Sequence, residues 1–234
     1  MKLSVIVPVF NEKNTILEVL KRISAVNIDK EILVIDDGST DGTRDMLKTI
    51  DGQRPAADRR NDEIKIIYHK RNMGKGRAIR TGLNNATGDV VIIQDADLEY
   101  DPQDYPKLIE PILSGRAKVV YGSRLFGKGK KSYWSFYLGG RLLSFLANLL
   151  YNAGITDEPT CYKAFRADVI KSIDLKCRRF EFCPEVTAKV RKKGYKIFEV
   201  PINYEPRSIK DGKKISWRDG LEAIWTLVRY RFFS

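Results

Sequence analysis

Asp95, Asp97 and Glu99 occupy alternate positions in Gln94-Asp95-Ala96-Asp97-Leu98-Glu99, directly after the apolar run Val90-Val91-Ile92-Ile93. Residues two apart on an extended backbone project to the same side, so a persisting strand would aim all three carboxylates one way. Two or three hard oxygen ligands suit Mg²⁺ or Mn²⁺, which takes one or two carboxylates together with substrate phosphates. The guest implied is a metal-bound diphosphate. A bare Asp-x-Asp is also common by chance, and a turn capped by Asp95 with a solvated Asp97 would need no metal.

Other candidates stand at comparable places. Asp36 and Asp37 close the run Ile32-Leu33-Val34-Ile35; the following Gly38 to Thr43 reads as a turn and helix cap, which leaves two acids at a strand tip unexplained. In Asn72-Met73-Gly74-Lys75-Gly76-Arg77, glycines and cations precede a helix carrying Ile79 and Leu83, an arrangement suited to phosphate, although a plain loop fits as well. Ser123-Arg124 follows the strand-like Lys118–Gly122. Arg141 interrupts a greasy helix and needs an anionic partner if buried. His69 is the only histidine; with no partner in view it reads as a surface or packing residue rather than a catalytic one.

The elements that must position these residues alternate between strand and helix patterns. Strand-like runs lie at 3–10, 31–35, 64–68, 90–93, 118–122, 160–166 and 195–202, with helical spacing between most of them. The unbroken apolar run at 90–93 predicts a central strand covered on both faces. Residues 51–62 read as a polar surface loop. Asp168 is expected to cap a short helix. A long helix is expected from about Trp134 to Tyr151, too apolar for one narrow stripe, so it is either core or inserts partly into lipid. The last helix, from Trp217, interleaves Trp, Tyr and Phe with arginine, which suits a bilayer interface or docking on the body. With 234 residues, one α/β domain over 1–234 is expected, a mostly parallel sheet flanked by helices.

Net charge is +12, but it is uneven: residues 1–115 carry 17 Lys/Arg and 19 Asp/Glu, residues 116–234 carry 25 and 11. A positive second half could meet a membrane surface, an anionic acceptor or a nucleic-acid backbone, or could simply keep the chain soluble. Acidic strand tips argue against a continuous phosphate track, so no nucleic acid is expected. Cys161, Cys177 and Cys183 are odd in number, lack metal-ligand spacing and read as small buried thiols. Met1-Lys2-Leu3 leads straight into a strand-like segment, and no apolar run reaches the ~18–20 residues of a membrane span. The expectation is a cytoplasmic protein, peripheral on the cytoplasmic face of a membrane.

The order of the motifs is more specific than any one of them. VIVPVFNE at 5–12, ILVIDDGSTDGT at 32–43, GKGRAIRTGLNNATGD at 74–89, QDADLEYDP at 94–102 and GSR at 122–124 together resemble a family 2 glycosyltransferase of the Rossmann-like GT-A fold. TCYKAFR at 160–166, FEFCPEV at 180–186 and EVPINYEPR at 199–207 resemble the dolichol-phosphate mannose synthase and polyprenol-phosphate glucosyltransferase group. The resemblance spans nearly the whole chain, and it implies a nucleotide-sugar half over 1–115 and a basic acceptor and membrane-facing half over 116–234, ending in an amphipathic interface helix.

It also implies roles. Pro8, Phe10, Glu12 and Asp37 would line the nucleotide pocket with Lys75; Asp95, Asp97 and Glu99 would hold Mg²⁺ or Mn²⁺. Arg207 with Lys213 or Lys214 would close over the donor diphosphate, while Arg124, Arg141 and Ser144 would grip the acceptor phosphate. The activity implied is inverting transfer of a hexose from UDP-glucose or GDP-mannose to a polyprenyl or dolichyl phosphate. Gly212-Lys213-Lys214-Ile215 stands where the group's mannose synthases tend to have Gly-x-Ser-Lys-Leu, which points away from mannose. Several relatives carry C-terminal membrane spans that this sequence lacks, so attachment would be peripheral or through a membrane-protein partner. Transfer to a soluble saccharide and noncatalytic nucleotide-sugar binding are the alternatives.

Overall fold

A computed structural model describes residues 1–53, 62–127, 134–207 and 216–233. Seven strands, β1 (Leu3–Val9), β2 (Lys30–Asp36), β3 (Asp62–Tyr68), β4 (Val90–Ile93), β5 (Val119–Ser123), β6 (Lys163–Arg166) and β7 (Phe198–Pro201), form one sheet in the order β3-β2-β1-β4-β6-β5-β7. Strands β1, β2, β4 and β5 are buried end to end, as strands covered on both faces must be. β3 to β4 run parallel, β6 is antiparallel to both its neighbours, and β5 and β7 are parallel. The chain therefore moves outward from β1 to β3 and returns to the far side of β1 at β4. In open α/β sheets, ligands bind beyond the strand ends at such a reversal.

Among the described residues eight α-helices accompany the sheet: α1 (Ile16–Ser24), α2 (Thr43–Gln53), α3 (Lys75–Asn85), α4 (Tyr105–Leu113), α5 (Trp134–Tyr151), α6 (Ala167–Lys171), α7 (Phe182–Lys192) and α8 (Trp217–Phe232). α1 buries Ile16, Val19, Leu20 and Ile23, one face of a helix. α3 buries Ala78, Ile79 and Gly82 against β1 and β2. α5 and α8 pack on each other and on α7, yet turn apolar side chains outward. Trp134, Leu138, Leu142, Phe145 and Leu149 make one exposed stripe along α5; Trp217, Leu221 and Trp225 make another along α8. No helix among the described residues is long and apolar enough to cross a membrane.

Several local expectations change. The extended backbone does not persist past β4: Leu98 turns to φ +60° and Glu99 N donates to Asp97 Oδ1 at 3.1 Å. Asp168 does not cap α6. It lies in the first turn, after the N-cap residue Arg166, and binds the Arg166 side chain at 2.6 Å. β6 and β7 start later than their patterns suggest because the preceding residues bond elsewhere, Cys161 N to the Tyr100 hydroxyl and Tyr195 N to Val190 O. Helix α2 extends to Gln53, into the stretch read as loop, most of which lies outside the described residues.

α3 approaches the sheet closely because Gly82 has no side chain: a Cβ there would stand 2.5 Å from Ile6 Cγ2 and 3.1 Å from Ile35 Cδ1. Gly82→Val is expected to cost about 1–3 kcal/mol through overpacking. The check is a lower urea midpoint with an unchanged slope.

Candidate active site

At the reversal between β1 and β4 the molecule opens a cleft of about 1120 Å³. Pro8, Phe10 and Glu12 reach it from the end of β1, Asp37 from the end of β2, Lys75 from the start of α3, and Asp95, Asp97 and Glu99 from the turn after β4. Arg124, Arg141 and Arg207 line it too. Residues 8 to 207 thus meet in one place because the sheet order brings the tips of β1, β2 and β4 side by side.

The acids are not solvated. Lys75 Nζ lies 2.6 Å from Asp95 Oδ1. Arg207 Nη1 is 3.2 Å from both Glu12 carboxylate oxygens, and its Nη2 is 3.3 Å from Asp97 Oδ2. Glu99 accepts from the Tyr204 hydroxyl at 2.8 Å and from Arg207 N at 3.0 Å. Burial opposes the charge of Asp95, but Lys75, the Cys161 thiol and Arg207 together outweigh it and hold that carboxyl below its ordinary range. For Asp97 burial and the charges of Asp95 and Glu99 act together, and its pKa is pushed up to about 7.

Among the described residues, Lys75 and Arg207 meet the carboxylates of Glu12, Asp95, Asp97 and Glu99, an acid-rich site of the kind a divalent ion would neutralise. Among the described residues no three His, Cys, Asp or Glu side chains converge as a ready-made metal cage, and Glu99 already accepts from Tyr204 and Arg207. Asp95, Asp97 and Glu99 all line the cleft, and each already has a cationic or hydrogen-bonding partner there. Two carboxylates with substrate phosphates is the ordinary coordination of Mg²⁺, so the residues fit such an ion.

The Gly74-Lys75-Gly76 stretch is not an open phosphate cradle. Met73 N and Gly74 N donate to Asp37 at 2.9 and 2.7 Å, and Gly76 N and Arg77 N donate to Arg179 O and Arg178 O at 2.9 and 3.0 Å. Gly74, at φ +92°, would place a Cβ 2.3 Å from Arg178 O; a close backbone approach demands the glycine. His69 is neither a surface nor a simple packing residue. Its Nδ1 bonds Asp37 Oδ1 at 2.7 Å and its Nε2 bonds Thr81 Oγ1 at 3.0 Å. Asp37 thus organises the loop that carries Lys75 to Asp95.

Arg124 binds Asp157 through Nε and Nη2 at 2.7 Å each and through its backbone N at 2.9 Å, and its guanidinium lies 5.1 Å from the centre of the Tyr204 ring. Glu199 fixes that loop by accepting from Thr156 N and Asp157 N at 2.8 and 3.1 Å. Arg141 is exposed on α5. Ser144 is buried: its hydroxyl donates to Gly140 O and accepts from Glu158 N, each at 2.9 Å, so it shapes the loop rather than meeting an anion. Lys213 and Lys214 lie outside the described residues. The cysteines are free; Cys161 and Cys177 are buried and Cys183 is half-buried. Sequence reasoning missed Asp157, Glu199 and Tyr204, whose partners are 33 to 105 residues away and carry no local pattern.

The profile of glycosyl transferase family 2 matches residues 4–174. The chain is 30% identical over 219 residues to the dolichol-phosphate mannosyltransferase of Pyrococcus furiosus, across 91% of this chain and 59% of that protein. It is 32% identical over 211 residues to the UDP-N-acetylglucosamine–dolichyl-phosphate N-acetylglucosaminyltransferase of Methanococcus voltae, across 84% of this chain and 83% of that one. The chain thus spans 59% of the length of the first relative and most of the second. Among solved structures, glucosyl-3-phosphoglycerate synthase of Mycobacterium tuberculosis, crystallised with Mn²⁺, UDP and glucosyl-3-phosphoglycerate, has a TM-score of 0.73 at 20% identity, covering 98% of this chain and 80% of that one. That likeness extends to the GT-A fold, the mostly parallel sheet flanked by helices seen here. By its sequence the chain belongs to glycosyl transferase family 2.

Proposed function

We propose that the chain moves a hexosyl group from a nucleotide sugar, UDP-glucose or GDP-mannose, to the phosphate of a polyprenol or dolichol at a membrane surface, with inversion at the sugar C1. One observation carries the reading. A single cleft is lined by the carboxylates of Asp95 and Asp97, by the guanidinium groups of Arg124 and Arg141, and by apolar side chains of α5 and α8 such as Phe136, Leu142, Trp217 and Leu221. Donor diphosphate, acceptor phosphate and isoprenoid each find their chemistry there. Relatives named for transfer to dolichol phosphate support the same acceptor.

In the proposed step an oxygen of the acceptor phosphate attacks C1, the bond from C1 to the β-phosphate oxygen breaks, and the nucleoside diphosphate leaves with the electron pair. A phosphate monoester is already anionic at neutral pH, so the step needs no strong base. That agrees with a lone histidine held between Asp37 and Thr81. Arg124, braced by Asp157, and Arg141 orient the acceptor anion beside a donor that would repel it. Pro8, Phe10 and Asp37 line the nucleotide pocket, and Arg207 closes over the diphosphate. Asp95 and Asp97 would hold Mg²⁺ or Mn²⁺, which when bound neutralises charge on the departing diphosphate.

The outward stripes of α5 and α8 suit the membrane surface. Trp134 and Trp217 are 72% and 71% exposed, and Arg218, Arg229 and Arg231 stand exposed on α8. Aromatic and leucine side chains flanked by arginine are the composition of a helix lying in the bilayer interface. The cytoplasmic face, with or without a membrane-protein partner, is the location this reading assigns.

Three outcomes are expected. In detergent with Mn²⁺, glycolipid should form from one UDP- or GDP-sugar only when polyprenyl phosphate is present, and Asp97→Ala should lower kcat on the order of 100-fold or more; lipid-independent transfer to a soluble acceptor would replace the acceptor proposed. In flotation assays the protein should rise with anionic vesicles, and the triple change Trp217→Ser, Leu221→Ser, Trp225→Ser should cut partitioning roughly tenfold or more. The third concerns pH. Asp97 ionises near 7 in the fold against about 3.9 unfolded, so the unfolded chain releases this proton first. Its contribution to stability is then lost as pH rises from about 4 to about 7. Asp97→Asn should flatten that decline in Tm, a difference that thermal melts in metal-free buffer would reveal.

A further inference from the structure

Two of the arginines lining this cleft, Arg124 and Arg207, are held in opposite ways. Arg124 meets Asp157 in a side-on fork at 2.7 Å, with its own backbone N on the same carboxylate, the geometry of a permanent pair. Arg207 lies among three carboxylates and fits none as a fork. Its Nη1 is 3.2 Å from each Glu12 oxygen, its Nη2 3.3 Å from Asp97 Oδ2, and its Nε 3.8 Å from Glu99 Oε1. That Nε is buried without a hydrogen-bond partner, a costly condition for a charged donor. Charge holds this guanidinium in place, and geometry does not.

We infer that Arg207 is a placeholder. In the substrate-free protein its guanidinium occupies the acid cluster at Glu12 and Asp97 and competes with a divalent cation for the same Asp97 oxygen. A diphosphate, which arginine can take as a fork, draws it away and frees Asp97. Free metal is therefore bound weakly, and metal and nucleotide bind with positive coupling that runs partly through this one side chain. The inference rests on the metal role proposed for Asp95 and Asp97. It adds an order of events: Arg207 leaves the carboxylates, then the cluster accepts its ion.

The test is Mn²⁺ binding to the full chain, by calorimetry or by the EPR signal of free Mn²⁺, without nucleotide and with UDP or GDP. Arg207→Ala and Arg207→Gln should bind Mn²⁺ alone roughly tenfold more tightly than the parent chain, about 1.4 kcal/mol, and the coupling with nucleotide should shrink by a similar factor. Arg207→Lys, which keeps the charge, should fall between. The glutamine variant retains a polar contact for Glu12 and decides the matter if the alanine variant misfolds by circular dichroism. Unchanged or weaker binding of Mn²⁺ alone in both neutral variants, with the parent still binding Mn²⁺ in the presence of nucleotide, would overturn the placeholder and leave the metal reading standing. Mn²⁺ bound by no form under any condition would remove both.

Discussion

Crowded negative charge at the mouth of the sheet is the constraint on which the rest of the site depends. Glu12, Asp95, Asp97 and Glu99 are drawn together there, with Lys75 and Arg207 set among them. Partly desolvated like charges repel strongly, and the response is visible in Asp97, whose carboxyl is pushed up to about 7 by burial and by Asp95 and Glu99. Carboxylates free to move would separate. They do not, because β1 and β4 are adjacent, fully buried strands, and the apolar burial of the sheet overrides the repulsion at its edge.

Positioning groups behind the cluster hold cations in place. Asp37 takes two backbone N–H groups and a histidine nitrogen, and so holds the turn from which Lys75 reaches Asp95. On the other side Glu199 accepts from the loop that presents Asp157, and Asp157 takes Arg124. Both chains of contact have one logic. A carboxylate satisfied by backbone donors is rigid, and a rigid carboxylate can fix a cation at a set place in the cleft. Asp37 fixes the turn that carries Lys75, and Asp157 fixes Arg124; Arg207, among Glu12, Asp97 and Glu99, has no such brace.

Much of this was legible in the sequence, for reasons that differ by residue. Val90–Ile93 declares a buried strand by composition alone, and Asp95 and Asp97 stand out because they end it. The direction of those acids was not legible, since it depends on the backbone turning at Leu98, a leucine at positive φ that no propensity anticipates. The glycines around Lys75 were visible, but not their packing: they admit the backbone of residues 178 and 179, a contact across about a hundred residues. His69 offered no local signal, because its partners Asp37 and Thr81 come from different elements. Ser144 had the right composition in the right helix, and only its burial shows that its hydroxyl serves the loop.

The charge asymmetry along the chain also acquires a different meaning once folded. Read linearly, acids belong to a donor half and cations to an acceptor half. In space they interleave: Arg207 from the basic half sits among the acids, Lys163 is buried against the carbonyls of Glu158 and Thr160, and Arg124 is matched by Asp157. The cations nearest the chemistry are thus largely neutralised by local partners. Among the described residues, other cations stand exposed outside the cleft, such as Arg218, Arg229 and Arg231, beside the apolar stripe of α8. Net charge of this kind acts on an extended anionic surface by long-range attraction, whereas the arginines inside the cleft act only at contact distance. One sequence statistic therefore combines two placements of charge that the fold keeps apart, one at contact distance inside the cleft and one exposed beside α8.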